Sequence, residues 1–591
     1  MEVNDHPAEE HQHESARERQ RRGPMWGCLR WLLGGSVLFL IVLFLIIGGG
    51  WFYLGTANFA DLVALRVAST LESRLGRKVT IGSVVIDRAH LSKVVLNDLR
   101  IANSPGAVNP YFATVKQITI AGGINSFWGR QISVDRVDLA EPHLFFEVYP
   151  AGSKLVHNFP HWNSGPKSRY EIYHLAIHKM YIARGGFDFL DRRHNIAAGA
   201  TNLTSTVDVT GQDVYAGTAS SPLMRVRIQD YLPFDMNMRG QFRYSPGVLE
   251  LQSIALNGGS DLRMFLRGRL DPLTDGVYNL NLTSAVGLNR IREIFRVQRP
   301  LDGILEMDTT LRGKQGTFTL SGGWLSQRMH ADVYELANAR GKLSVTDTHA
   351  IIDVERAAYG GGTLNAHYQL PQYAEPYPMS VDLRYNGVSV EKLFGDWGIH
   401  DTGLRGGATG RLTYHWNKDK LLEGGGAGTA SLSKNATAFS GAKYPIAIGG
   451  STDFALENGV VTFRRADLET DKSTIGITGK FRISDAWTDL LMKIHSTDFS
   501  ELDRVGYNFA HSAGKKTYSL LGLGGAGDIS GSVNGPIKAP EVVAHIVSTG
   551  TKYNNVLLGD AEIDLHYDGP HSTLRFDRAI FRDGNGRLAL T

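Results

Sequence analysis

Cysteine is almost absent from this chain of 591 residues, which has only Cys28. The residues after Cys28 therefore contain no disulfide, no thiolate metal site and no cysteine nucleophile. Because covalent cross-links are excluded, burial of apolar side chains and pairing of backbone groups must supply the stability of the fold.

Excess charge is also lacking, since the formal net charge is only +3. So small a net charge gives no reason to expect a nucleic-acid partner. Glycine, in contrast, is abundant, with 67 residues, and it follows no collagen-like period. Such glycines are typical of turns between strands.

Sequence signatures of catalysis are missing as well. The segment SAGKKT, with Ala513 to Thr517, resembles the end of a phosphate-binding loop, but Phe509 occupies the position of the required first glycine. No GxSxG nucleophile elbow occurs, and the carboxylates are scattered singly. We therefore expect a protein that is not an enzyme, with no catalytic residues and no cofactor.

Histidine pairs are the remaining candidates for metal ligands. His174 and His178 would share one face of a strand, but no third ligand is evident, so we interpret them as a surface pair. His157 and His161 suggest a loop. A solvated tail accounts for the other three histidines considered, His6, His11 and His13. The sequence thus predicts no metal site.

One long apolar run stands out, from Trp31 to Leu54, and it contains no charged residue. A bilayer core about 30 Å thick needs roughly 20 apolar residues in a helix. A cleaved signal peptide is the alternative, but its apolar region is shorter and the segment ANFA (57–60) is a poor cleavage site. We predict an uncleaved transmembrane helix over residues 31–54.

Positive charge crowds the N-terminal side of this run and predicts its orientation, because Lys and Arg close to a span favour the cytoplasmic side. Residues 1–30 are therefore expected to be a disordered cytoplasmic tail, and all residues from 55 onward to lie across the membrane. The arginines concerned are Arg17, Arg19, Arg21, Arg22 and Arg30.

Beyond the run, the apolar spacing from Phe59 to Leu75 predicts a helix that stops at Gly76. Strands of five to nine residues, rich in Val and Ile, should follow. The segments concerned are RKVTIGSVVID, KVVLNDLRIAN, TVKQITIAG and QISVDRVDLAEPHLFFEV. In the last of these, Ile132, Val134 and Arg136 alternate with Ser133, Asp135 and Val137.

Two independent patterns indicate a repeat. A strand, a Gly-rich turn and a second strand recur with intervals of 103, 109 and 113 residues between the aligned positions Leu256, Tyr359, Leu468 and Phe581. A strand running into a short helix recurs at intervals of 102 and 109 residues, aligned on Leu288, Val390 and Phe499. The sequence thus predicts a mainly β fold whose repeating unit, about 105 residues long, contains one short helix.

Alternating strands give a sheet with one apolar face, which must be covered or used. Curling the sheet would enclose an apolar groove suited to acyl chains, whereas a row of closed sandwiches would act as a spacer. Alternation alone leaves both open, and bulges prevent a prediction of which residues face inward, so the lipid-lining residues are unknown at this stage. Val115, Ile118, Leu282 and Met492 are the positions at which lipid contact would be tested.

The segment GRKVTIGSVVIDRAHLSKVVLNDLRIANSPG, soon after the apolar run, resembles the start of the AsmA/TamB superfamily of diderm bacteria. The segments INSFWGRQISVDRVDLAEPHLFFEV and GDISGSVNGPIKAPEVVAHIVSTGTKYNNVLLGDAEIDLHYDG continue that resemblance. It implies an AsmA-like β-region with a preceding helix over 55–170, and repeated β-groove units over 171–591. It also implies a single-pass inner-membrane protein whose periplasmic groove conveys phospholipid between the inner and outer membranes.

The resemblance implies a rival function too, the assembly of outer-membrane proteins together with an outer-membrane barrel partner. The chain stops at RLALT, inside the fourth strand-turn-strand pattern. It is therefore expected to be either a truncated TamB-type protein or a shorter AsmA-like member.

Overall fold

The computed structural model describes residues 61, 64–65, 68–69, 71–73, 75–86, 93–122, 131–150, 152–155, 157–158, 174–193, 195–211, 214–245, 248–270, 277–314, 317–373, 375–434, 443–512 and 514–590. The predicted tail (1–30) and membrane helix (31–54) lie outside these residues. Among the residues described, none of the helices is both long enough and apolar enough to cross a bilayer.

Strands predominate, which confirms the prediction of a mainly β protein. The chain divides into two compact units. Of the described residues, the first contains those up to 224 together with 240–252 and 269–278, and the second contains 225–239, 253–268 and those from 279 onward.

The first unit begins with helical residues between 61 and 75, and the helix ends at Leu75, as predicted. Gly76 follows with a φ of +60°, a conformation that suits glycine at a helix end. Seven strands follow: β1 (Val79–Thr80), β2 (Ser83–Ile86), β3 (Lys93–Ala102), β4 (Tyr111–Gly122), β5 (Gln131–Val148), β6 (His174–Asp191) and β7 (Ile196–Gly211).

Two of these strands differ from the sequence prediction. β5 and β6 each span 18 residues, twice the greatest length expected, and they pair in parallel. In the β4–β5 pair, Ala121 lies opposite Arg136 and Gly122 opposite Val134, so Asp135 is the extra residue of a bulge. The predicted alternation is therefore wrong here: Val134 and Val137 are both buried.

The first unit has a closed apolar core, in which Leu96, Ile120 and Val134 are among the most deeply buried side chains. Ile118 belongs to this core and is only 8% exposed, so the proposed test of lipid contact at Ile118 is unsuitable. Val115 packs against the same core.

A buried polar cluster borders that core. The side-chain amide of Asn158 donates to the carbonyl oxygen of Phe145 at 2.7 Å, and its oxygen accepts from the backbone N–H of Glu147 at 2.8 Å. Arg77 donates to the Asn158 carbonyl at 2.7 Å, and Arg192 pairs with the Glu147 carboxylate at 3.0 Å. These bonds join the segment after the first helix to the end of β5.

Five strands contain residues of both units, and a helix of the second unit follows them. They are β8 (Val214–Ile228), β9 (Phe234–Ser245), β10 (Val248–Asn257), β11 (Leu262–Leu270), β12 (Tyr278–Gly287) and the helix α1 (Leu288–Phe295), of which α1 lies wholly in the second unit.

The long strands in the rest of the second unit pair with antiparallel neighbours. Six strands lead to a second helix: β13 (Leu301–Lys314), β14 (Thr317–Ala331), β15 (Tyr334–Thr346), β16 (Ala350–Tyr359), β17 (Gly362–Leu370), β18 (Pro378–Ser389) and α2 (Val390–Asp396). Six long strands and two short ones lead to a third: β19 (Leu404–Arg405), β20 (Gly407–Asn417), β21 (Gly425–Ser433), β22 (Ile446–Ala447), β23 (Gly449–Glu457), β24 (Val460–Glu469), β25 (Ser473–Arg482), β26 (Trp487–Ser496) and α3 (Phe499–Ser512).

Five further strands complete the described chain: β27 (Gly524–Pro536), β28 (Glu541–Tyr553), β29 (Val556–Asp568), β30 (Thr573–Asp583) and β31 (Gly586–Leu590). A 3₁₀ turn, Leu421–Glu423, precedes β21. The short strands β19 and β22 pair only with each other, in parallel, within the part of the chain described.

The three helices begin at the residues that the sequence pattern aligned. Leu288, Val390 and Phe499 are the first residues of α1, α2 and α3, and all three side chains are buried. The succession of six long strands and one helix also recurs. The repeat inferred from spacing alone is therefore a structural repeat.

Candidate functional site

A continuous apolar row crosses sixteen strands of the second unit, from β13 to β30. Each member lies directly opposite the next in the cross-strand register, so all of them share one face of the sheet. This central row consists of Met307, Trp324, Gly341, Val354, Ala366, Leu383, Leu412, Gly428, Phe454, Phe463, Gly479, Leu490, Val533, Val542, Tyr567 and Leu574.

Most of the side chains in the central row keep some contact with solvent. Trp324, at 8% exposure, is buried, as are Gly341 and Gly428, whereas Leu574 is 53% exposed. The others are partly exposed. A filled core would bury such residues almost completely, so this face is not packed against a second layer along its length.

A second apolar row runs beside the central row across twelve strands. It contains an unbroken series of isoleucines from β25 to β29, and its members again lie opposite one another. The isoleucine row consists of Val388, Ala408, Leu432, Gly450, Leu468, Ile475, Ile494, Ile529, Ile546, Ile563, Ala579 and Leu590. Together the two rows define the apolar face of the second unit.

The residues next in sequence to the central row point to the opposite face and are mostly polar. Across the same sixteen strands they are Asp308, Gly323, Lys342, Asp353, His367, Asp382, Thr413, Ala427, Ala455, Thr462, Lys480, Asp489, Asn534, Glu541, Asp568 and Thr573. The sheet therefore separates an apolar face from a polar face.

Glycines lie opposite the largest rings of the apolar face, so the surface of this face stays level there. Trp324 lies opposite Gly341, and Phe454 lies opposite Gly428. A Cβ placed on Gly341 would lie 2.9 Å from the Trp324 ring, and one on Gly428 would lie 2.4 Å from the Phe454 ring. Each ring therefore lies over a glycine instead of standing out from the sheet.

A bulge recurs in the fourth strand of each repeat. One extra residue shifts the register at Glu355 in β16, between Phe463 and Ala466 in β24, and at Asp577 in β30. Two residues after each bulge comes a buried alanine: Ala357, Ala466 or Ala579. Because a bulge exchanges the faces of the residues after it, these alanines join the apolar face although simple alternation places them on the other.

An aromatic clamp also recurs, between a tyrosine before the third long strand and the helix after the sixth. The ring of Tyr231 lies 4.9 Å from that of Phe295 at the end of α1, and the ring of Tyr444 lies 5.0 Å from that of Tyr507 in α3. At the corresponding place beside α2, the Trp397 indole donates a hydrogen bond to the Tyr334 hydroxyl.

Opposite charges pair across strands on the polar face. Arg411 pairs with Asp382, and His545 lies 2.7 Å from Asp564. Between β8 and β9, the Arg225 guanidinium, through its hydrogen bonds, lowers the pKa of Asp235. On the apolar face, in contrast, burial raises the pKa of Tyr368, Tyr385 and Tyr414, which keeps these phenols neutral.

A cleft of about 610 Å³ is lined by residues of β23 to β28 that belong to both faces of the sheet. Its walls include Asp467, Lys493, His495, Asp528 and His545. The charged walls largely satisfy one another, since His495 lies 2.9 Å from Asp528 and His545 pairs with Asp564. The walls also include Leu468, Ile475, Ile494 and Ile529 of the isoleucine row. Because the two apolar rows extend well beyond this cleft, the candidate site is the apolar face as a whole.

The histidine pairs are not brought into a described site. His178 Nδ1 lies 3.4 Å from the Val134 carbonyl oxygen, and the side chain of His174 lies outside the described residues. His157 forms an isolated bridge with Val148. The remaining histidines considered, His6, His11, His13 and His161, lie outside the described residues. Among the described residues, no three His, Cys, Asp or Glu side chains cluster as metal ligands would.

Of the other positions singled out in the sequence, Leu282 is a partly exposed residue of β12 and Met492 a partly exposed residue of β26. Met492 lies opposite Ile477 and Gly531, on the apolar face. Sequence reasoning missed the two apolar rows, since they follow from cross-strand register.

No family model, curated protein or solved structure matches this chain. The apolar face and its geometry therefore have to support the function by themselves.

Proposed function

We propose that this protein binds lipid acyl chains along the apolar face of the second unit and conveys phospholipid between the inner and outer membranes of a diderm cell. The chain is anchored in the inner membrane by residues 31–54, and its bulk lies in the periplasm. Transport of this kind needs no catalytic residue and no cofactor.

The observation that carries the proposal is the continuity of the central row. Sixteen neighbouring strands spaced about 4.8 Å apart give a contour of roughly 70 Å along which an acyl chain meets glycines, aliphatic side chains and aromatic rings. Each buried CH₂ group contributes about 0.8 kcal/mol, so a chain moving along such a path keeps its favourable contacts.

Partial exposure of the same residues also supports the proposal. An exposed apolar surface of this extent is a liability in water unless it binds something. The polar residues on the opposite face suit contact with water, so the apolar face is the side available for lipid. The resemblance of the sequence to the AsmA/TamB superfamily implies the same function.

The test is the phospholipid that co-purifies with the full-length protein, measured by mass spectrometry. Met492→Glu places a charge on the apolar face, and Leu491→Glu places the same charge one residue away, where the side chain is 61% exposed on the polar face. We expect M492E to lose most of the bound lipid and L491E to keep it. Equal lipid in both variants, together with lower levels of outer-membrane proteins, would favour the assembly role instead.

A further inference from the structure

Two side chains of the central row carry a nitrogen or oxygen atom able to form a hydrogen bond. The Trp324 indole donates to the carbonyl oxygen of Lys342 at 3.3 Å. The Tyr567 hydroxyl, at the end of β29, accepts a hydrogen bond from the ammonium of Lys515 at 2.8 Å. A cation therefore lies at the rim of the apolar face.

The segment after α3 holds Lys515 in this position. The backbone N–H of Lys515 donates to the carbonyl oxygen of Ala510 at 2.9 Å, and that of Tyr518 donates to the carbonyl oxygen of Lys515 at 3.1 Å. The buried carboxylate of Asp503 accepts from the backbone N–H of Leu521 at 3.0 Å. The segment is thus fastened at both ends, so the ammonium is positioned by its backbone.

Lys515 has an unusual electrostatic environment. Its side chain is partly buried, and its ammonium lies 5.5 Å from the centre of the Tyr567 ring. No carboxylate of the described residues lies within ion-pair distance of it, whereas many other lysines and arginines of the second unit pair with Asp or Glu. A partly desolvated cation without a counter-ion favours binding of an anion.

We propose that Lys515 and Tyr567 bind the oxyanion head group of an amphiphile whose acyl chain lies along the central row, which rests on the proposed function. The ammonium keeps two N–H groups, and the phenol keeps its O–H, for the head group. The row continues from Tyr567 to Val542 and Val533, which receive the chain. The shared chemistry is an oxyanion on an acyl chain, either a fatty-acid carboxylate or a lipid phosphate.

The experiment measures binding of four probes to the full-length protein: oleate, dioleoylphosphatidate, and the neutral oleyl alcohol and dioleoylglycerol. Lys515→Met should weaken binding of the anionic probes about tenfold or more, because it removes a charge-assisted hydrogen bond. Binding of the neutral probes should not change. Tyr567→Phe should weaken the anionic probes about threefold. A loss for oleate indicates carboxylate binding, and a loss for phosphatidate indicates phosphate binding.

Two further variants separate this role from a structural one. Lys516→Met removes the neighbouring lysine, which is exposed, and should leave all four probes unchanged. Lys515→Arg keeps the positive charge and should retain most of the affinity for the anionic probes.

Three results would overturn the head-group site. K515M could lose equal affinity for the anionic and neutral probes, K515M could keep its affinity for both anions, or K516M could lose as much affinity as K515M. If the wild-type protein binds neither neutral probe, the proposed function itself fails. The two failures are therefore distinguishable.

Discussion

The indole nitrogen of Trp397 lies 3.1 Å from the hydroxyl oxygen of Tyr334, 63 residues earlier in the chain. The bond joins the end of α2 to the first residue of β15. Between these two points lie four strands of one repeat, so the clamp connects the third strand to the helix that ends the repeat. Comparable tyrosine contacts beside α1 and α3 show that this closure is part of the repeating unit.

Removing the Tyr334 hydroxyl should loosen α2. Tyr334→Phe loses the bond from Trp397, worth about 1 kcal/mol, while the ring can still pack against Tyr359. Amide hydrogen exchange in residues 390–397 should accelerate about fivefold.

The matched control for this prediction is Tyr553→Phe. Tyr553 is 55% exposed, and its hydroxyl has no hydrogen-bond partner among the described residues. If exchange in α2 is equally fast in both variants, the clamp does not fasten the helix.

Filling the space under a ring should disturb the apolar face. Gly428→Ala places a methyl group where the Phe454 ring now lies. This methyl group would also lie 3.0 Å from the backbone oxygen of Arg411, which limits how far it can move from the ring. We expect a loss of about 1–3 kcal/mol in unfolding free energy and weaker lipid binding, because the displaced ring interrupts the central row.

Gly476→Ala is the control for that substitution. The nearest atom to a Cβ on Gly476 is 3.8 Å away, and the residue lies on the polar face. The free energy of unfolding, measured with denaturant, should therefore change by no more than about 0.5 kcal/mol. Comparable destabilisation in both variants would contradict the pairing of rings with glycines.

The first unit offers a test of electrostatics at Glu141. Hydrogen bonds from Lys116 and Arg184 lower the pKa of this carboxyl, so its ionised form is favoured in the folded state. The stabilisation is present above the unfolded pKa, about 4.3, and is lost as the pH falls through the lower folded value.

Amides of β4 and β5 should exchange more slowly in the wild type than in Glu141→Gln. This protection of the wild type relative to the variant should be constant from pH 5 to 7 and shrink below about pH 4. It should also shrink in about 1 M salt, because the group is exposed and screened. An advantage that persists at pH 3 would show that the carboxylate charge contributes nothing.

Local signals in the sequence predict much of this fold. Gly76 ends a helix, and the spacing of Leu288, Val390 and Phe499 identifies the starts of three others, because an apolar stripe and a turn glycine act within a few residues. The strand-turn-strand patterns also correspond to β10–β11, β16–β17, β24–β25 and β30–β31.

Features that depend on distant partners were not predictable. The bulge at Asp135 overturns the expected alternation, and the parallel pairing of β5 with β6 involves residues about 43 apart. Whether Met492 or Leu491 faces the apolar side is determined by the register with β25 and β27, which no local pattern encodes. The same holds for the contact between Lys515 and Tyr567.

The most direct test of the account places a photoreactive residue at Met492 or at Leu491 in the full-length protein in cells. These neighbours are both apolar in the native chain and lie on opposite faces of β26. The account predicts phospholipid adducts, identified by mass spectrometry, at Met492 and none at Leu491. Adducts at both positions, at neither, or only with protein would contradict an apolar face that carries lipid.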